Sequence, residues 1–109
     1  MSTRCQVICT DGSADDIWFY RHSDGYPAGV APTLDRFCQL LKDRKIRANT
    51  EQGAGWLLLI GREELLSIKP TNADWKVGTY EPCAPEQHDD IDHLYEVDMM
   101  NATWEEIPL

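Results

Sequence analysis

Polar and apolar residues alternate from the start of the chain. Over residues 4–10, Cys5, Val7 and Cys9 fall on one side of a strand and Arg4 and Gln6 on the other, with Ile8 as the exception. Asp11-Gly12-Ser13 interrupts the pattern, and residues 16–22 resume it. There Ile17, Phe19 and Arg21 face one way, and Trp18, Tyr20 and His22 the other. So short a link predicts a β-hairpin. Residues 23–31 contain Asp24-Gly25, Tyr26-Pro27 and Gly29, and read as an irregular loop.

The period then becomes helical. Pro32 and Thr33 open a helix, with Thr33 as N-cap or first-turn residue. Leu34, Phe37, Cys38 and Leu41 form a single apolar stripe, which places Cys38 in the core rather than in a nucleophilic site. Asp35 in the first turn and Lys42, Arg44 and Lys45 in the last complement the helix dipole, so the helix is expected to end near Lys45. A second helix is signalled by Asn49 and Gln52 at capping-box spacing and by Gly61 as a stop. Between them runs Gly53-Ala54-Gly55-Trp56-Leu57-Leu58-Leu59-Ile60. Periodicity alone does not separate helix from strand there; the cap and the stop favour a helix with Trp56 in the core. Its small residues would let another element approach closely, and residues 62–66 would add a further turn.

The remainder returns to strands. Residues 74–80 alternate, residues 81–90 hold two prolines and four acids and read as a loop, and residues 91–99 alternate again. In that last run Ile91, His93, Tyr95, Val97 and Met99 share one face, and Asp92, Glu96 and Asp98 the other, interrupted by Leu94. After a turn at Met100-Asn101, residues 102–107 form the final strand. The expected fold is α+β: an antiparallel sheet of about five strands with two helices on one face, in the order strand, strand, helix, helix, strand, strand, strand. At 109 residues, the chain is expected to form a single domain over residues 1–109.

Charge changes this picture most. Residues 1–76 hold ten acids and all ten bases, whereas residues 77–109 hold nine acids and no base, so the whole net charge of −9 sits in the last 33 residues. Such a balance argues against direct nucleic-acid binding and against docking on an anionic membrane. No apolar run approaches the roughly 20 residues of a membrane span, and the first residues do not read as a secretory signal. A cytoplasmic protein is expected. Cys5, Cys9, Cys38 and Cys83 lack Cys-x-x-Cys spacing and read as reduced, structural thiols.

Signatures of chemistry are sparse. No P-loop and no nucleophile elbow occurs, and Gly53-Ala54-Gly55 lacks the basic residue of a phosphate cradle. His22 with Asp24, and His88, Asp89 and Asp90 with His93, have the donor types of a metal site but not a tight ligand spacing, so no metal or cofactor is expected. The run Lys42-Asp43-Arg44-Lys45-Ile46-Arg47 carries net +3 and has the chemistry to contact a phosphate or an acidic partner; helix C-terminal charge, or pairing with the protein's own acidic strands, is the plainer reading.

Three strings resemble a family of small uncharacterised proteins of phages and prophages. They are Trp18-Phe19-Tyr20-Arg21-His22-Ser23-Asp24-Gly25-Tyr26-Pro27, then Gly55-Trp56-Leu57-Leu58-Leu59-Ile60-Gly61, then Trp75-Lys76-Val77-Gly78-Thr79-Tyr80-Glu81-Pro82. The later His88-Asp89-Asp90-Ile91-Asp92-His93-Leu94-Tyr95-Glu96-Val97-Asp98 is similar to the end of the same family. The resemblance carries no catalytic role but implies a mobile-element setting, in the bacterial host cytoplasm. Size, acidity and setting together resemble those of anti-CRISPR proteins and other inhibitors of bacterial defence.

The expectation is a non-enzymatic inhibitor that lays carboxylates into the basic nucleic-acid groove of a host protein or ribonucleoprotein complex. Its partner-binding residues would be Glu86, Asp89 and Asp90 in a loop, Asp92, Glu96 and Asp98 on one strand, and Glu105 on the next. Glu105 and Glu106 point to opposite faces, so only one joins that row. The competing expectation is a small metal- or nucleotide-binding module, or an enzyme, built on residues 20–27 and 86–93. The oligomeric state is left open, a homodimer included.

Overall fold

The computed structural model describes residues 3–13, 15–68 and 80–109. The elements are β1 (Cys5–Thr10), β2 (Ile17–Arg21), α1 (Pro27–Lys42), α2 (Thr50–Ile68), β3 (Tyr80–Cys83), β4 (His93–Asp98) and β5 (Thr103–Ile107). The fold is α+β, with a five-stranded sheet in the order β3-β2-β1-β4-β5. The sheet is mixed rather than purely antiparallel. β1 and β2 form the expected hairpin, but β1 pairs with β4 in parallel, Cys5 beside His93 and Cys9 beside Val97. The expected strand at 74–80 lies outside the described residues except for Tyr80. β3 itself covers Tyr80–Cys83, which runs into the predicted loop. Pro82 is tolerated there because β3 is an edge strand.

Both helices pack on one face of the sheet. Cys5, Val7, Cys9, Phe19, Tyr95 and Val97 point toward them and meet Val30, Leu34, Phe37, Cys38, Leu41, Leu57 and Ile60 in the main core. Over residues 50–63 of α2 the buried positions are Thr50, Gly53, Leu57, Ile60 and Gly61. Trp56 falls one residue off that stripe and is 37% exposed, against the expectation that it is core. Gly61 does not stop the helix. A Cβ there would lie 2.6 Å from Cδ2 of Tyr80, so the glycine is needed for close approach of the β3 ring. Gly53 plays the anticipated part: Met99 and Phe37 pack where its side chain would be.

α1 begins five residues before Pro32. Pro27 occupies its first turn, where a missing N–H costs nothing, so the segment expected to be irregular is partly helical. Pro32 lies inside the helix and leaves the carbonyl of Ala28 unpaired within it; Ala28 is exposed, so water can serve that carbonyl. The Asp24-Gly25 pair is also used differently from a usual turn. The left-handed residue is Asp24, with φ 56°, while Gly25 is required because a Cβ would sit 2.8 Å from that of Cys5. The segment is tied down by the Gly25 N–H donating to Thr3 O (2.9 Å) and by the buried Tyr95 hydroxyl donating to Gly25 O (2.7 Å).

The N-terminus of α2 is capped twice. Asn49 Oδ1 accepts from the Gln52 N–H (3.0 Å), as the spacing predicts. Gln52 Oε1 reaches back to the N–H of Arg47 rather than to that of Asn49. From across the fold, Asp11 Oδ2 accepts from the Thr50 N–H (2.9 Å). Hydrogen bonds from the Ser13 hydroxyl first, then from the Thr50 and Ser13 backbone, hold the Asp11 carboxyl down to about 2.

Candidate functional site: the helix-free face of the sheet

The face turned away from the helices has two parts. Near β1 and β2 it is apolar: Ile8 and Leu94 are buried with Ile91, and Trp18, Tyr20 and Ile107 pack around them. Ile8 and Leu94 are the two residues that break the alternation of their strands, and this patch is where they go. It is covered by residues 84–92, which carry the chain from the edge strand β3 across β2 and β1 to β4.

Gln6 fastens that crossover. Its side chain is fully buried, with Nε2 donating to Glu86 O (2.9 Å) and Oε1 accepting from the His88 N–H (2.9 Å). A weaker contact joins Nε2 to Cys83 Sγ at 3.5 Å. At its far end the Asp92 N–H donates to Arg4 O (2.8 Å) and Asp92 Oδ2 accepts from the Arg4 N–H (3.2 Å). Arg4 Nε lies 3.7 Å from the Asp90 carboxylate. The fold thus places Glu86, Asp89 and Asp90 on the outside of a strap across this face, exposed to solvent.

The other part is acidic. Glu96 on β4 stands directly opposite Glu105 on β5, and Asp98 opposite Thr103. With Trp104 these residues line a groove of about 190 Å³. Glu105 is the glutamate that joins the row; Glu106 turns to the other side, with its Oε2 2.6 Å from His93 Nδ1.

Not all seven expected carboxylates are equally available. Asp98 is occupied within its own turn. Its Oδ1 accepts from the N–H groups of Met100 (3.1 Å) and Asn101 (3.2 Å), and its Oδ2 from Asn101 Nδ2 (2.6 Å). Those bonds, the Asn101 side chain first, hold its carboxyl below the usual range. Asp92 and Asp90 are engaged by Arg4. Glu86, Asp89, Glu96 and Glu105 have no side-chain hydrogen bond or ion pair among the described residues.

The histidines are dispersed. The Tyr20 hydroxyl is 3.2 Å from His22 Nδ1, and the Tyr20 ring packs on His88 with centroids 5.1 Å apart. His88 Nδ1 is 4.0 Å from the Asp90 carboxylate. Residues 20–27 and 86–93 therefore meet through ring packing. Among the described residues, no three His, Cys, Asp or Glu side chains converge as metal ligands. Three of the four thiols are buried, and burial pushes Cys5 and Cys9 up to about 12 and Cys38 up to about 11, far from nucleophilic at neutral pH; Cys83, on the edge strand, is partly exposed. No helix among the described residues is long and apolar enough to cross a membrane.

Sequence reasoning missed the strap and the division of labour among the acids. The signal for the strap was present in Ile8 and Leu94, apolar residues on otherwise polar faces, together with Ile91 in the loop. Compared with known proteins, the chain matches no family model, no curated protein and no solved structure.

Proposed function

We propose that the protein is a non-enzymatic binding protein whose helix-free acidic face docks on a basic surface of a partner protein or ribonucleoprotein. The observation that carries this reading is the set of unengaged carboxylates, Glu86, Asp89, Glu96 and Glu105, on one side of the sheet. Their charges are free to pair with an incoming cation, and the like-charged pair Glu96 and Glu105 gains most from one. A rigid row of carboxylates suits a groove that otherwise holds nucleic acid, because such grooves are lined with Lys and Arg. The resemblance to phage and prophage proteins points to a host defence complex as the class of partner, with inhibition by exclusion of its nucleic acid.

Affinity capture from bacterial lysate tests this, with the parent chain and the Glu96→Lys/Glu105→Lys variant compared at two salt concentrations. The parent is expected to retain a nucleic-acid-binding complex, to compete with its nucleic acid, and to release it as salt rises, since screening shortens from about 8 Å at physiological ionic strength. The double reversal should weaken capture at least tenfold while leaving the fold intact. Asp92 and Asp98 are unsuitable for that test because both are tied into the structure. Equal capture by parent and variant, indifferent to salt, would overturn the proposal.

A further inference from the structure

A second cleft lies away from the acidic face. It measures about 760 Å³ and is walled by the end of α1, the linker to α2, the first turns of α2 and the β4–β5 turn. Lys42, Arg44, Lys45 and Arg47 line it, with Trp56, Met100 and Gln52, and among the described residues no carboxylate does. Asp43, the one acid within this run, is held by Gln39 Nε2 at 3.0 Å. None of the four cationic side chains has an ion pair among the described residues, so the expected pairing with the protein's own acidic strands does not occur there.

Two further observations concern the cleft. Trp56 and Met100 are 37% and 64% exposed, two of the few large apolar side chains left in solvent, and both stand on its wall. Arg44 occupies a left-handed position, φ 56°, at the end of α1. The Arg44 N–H donates to Leu41 O and the Lys45 N–H to Leu40 O, which is the helix-ending arrangement that ordinarily takes glycine. An arginine is thus kept where the backbone favours another residue, and it lines the cleft.

From this geometry we infer that the cleft binds a nucleotide, with the phosphates held by Lys42, Arg44, Lys45 and Arg47 and the base against Trp56. Each part of the ligand follows from one part of the wall. The cations require an anion, and guanidinium groups suit phosphate oxygens. The exposed indole requires a flat apolar partner. The volume falls in the usual range of roughly 300–1,000 Å³ for small-molecule sites. A mononucleotide is favoured over a strand because the chain carries net −9, so a polyanion leaving the cleft meets repulsion.

Calorimetric titration of the full chain with ATP, tripolyphosphate and adenosine tests the inference. ATP is expected to bind with submillimolar Kd, and tripolyphosphate and adenosine each at least tenfold more weakly. Arg44→Gly should weaken ATP binding several-fold; because glycine suits that backbone, misfolding cannot account for the loss. Trp56→Leu should reduce ATP to the affinity of tripolyphosphate. Glu96→Lys/Glu105→Lys should bind ATP at least as well as the parent, which separates this inference from the docking proposal. No ATP binding at millimolar concentration, equal binding by Arg44→Gly, or tighter binding of a short oligonucleotide than of ATP would each overturn it.

Discussion

The acidic face and the basic cleft both come from contiguous stretches of sequence, residues 77–109 and 42–47, yet the fold uses their charges in opposite ways. On the acidic side many carboxylates are committed to the structure. Asp98 organises the β4–β5 turn, Asp92 and Asp90 grip Arg4, and Glu106 meets His93. In the cleft the fold engages none of the four cationic side chains among the described residues, and one of them stands on strained backbone. Charge density in the sequence therefore overstates the acidic site and understates the basic one. What matters is how many charges remain after the backbone has taken its share.

The most severe way to disturb one region and spare the other is to release the strap. Gln6→Ala removes a fully buried side chain and strands Glu86 O and the His88 N–H beneath residues 84–92. Leaving such groups unpaired, with a cavity beside them, costs about 2–4 kcal/mol. Chemical denaturation should report that loss, and amide exchange at His88 should accelerate. Near-parental stability would mean that Ile91, the Asp92–Arg4 hydrogen bonds and the packing of His88 on Tyr20 hold the crossover without Gln6.

The same strap shows where sequence reading stops. Alternation located β1, β2, β4 and β5, and the apolar stripe located α1, because each depends only on residues a few positions apart. The β1–β4 pairing was not legible, since it depends on a crossover between distant strands. Trp56 was misplaced because a run as apolar as 56–60 does not announce its own buried side; Gly53, Leu57, Ile60 and Gly61 define it only once Tyr80 and Met99 arrive. Among the site residues, the period of two put Glu96 and Asp98 on one face and allowed one of Glu105 and Glu106 beside them; the β4–β5 register selects Glu105, and neither that register nor the capture of Asp98 by Asn101 was visible in the spacing.

Asp11 belongs to neither region, yet it fixes the start of α2, which forms one wall of the cleft. Its carboxyl is held at about 2 in the folded chain, against an ordinary 3.8. A depressed carboxylate pKa stabilises the fold fully above the unfolded value, and the contribution disappears as pH falls through the folded one. Asp11→Asn should accordingly lower Tm at neutral pH, and the gap from the parent should close as pH is lowered from about 4 to about 2. A gap that stays constant over that range would mean that the charge of Asp11 adds nothing to the cap.

Arg44→Gly sharpens the contrast from the basic side. Relief of the left-handed arginine is expected to stabilise the chain by roughly 0.5–1 kcal/mol. A gain in Tm combined with loss of ATP binding would show that the cleft is maintained at the expense of stability. Loss of stability instead would mean that the Arg44 side chain packs more than its backbone strains.

The smallest effect is the most discriminating on the acidic side. Glu96 and Glu105 face each other across β4 and β5, where like charges directly opposite are unfavourable. Glu105→Lys converts that repulsion into a cross-strand pair beside Asp98, on an exposed position where no packing is lost. The expected gain is about 0.2–1 kcal/mol, reduced by added salt because the pair is in contact with water. Asp98→Ala should move the other way, since it deletes the acceptor for Met100 and Asn101. Two acids of one face would then have opposite effects on stability, which is the signature of one held for the turn and one held for a partner. If Glu105→Lys instead destabilises the hairpin, Glu105 is a structural residue, and the docking row contracts to Glu86, Asp89 and Glu96.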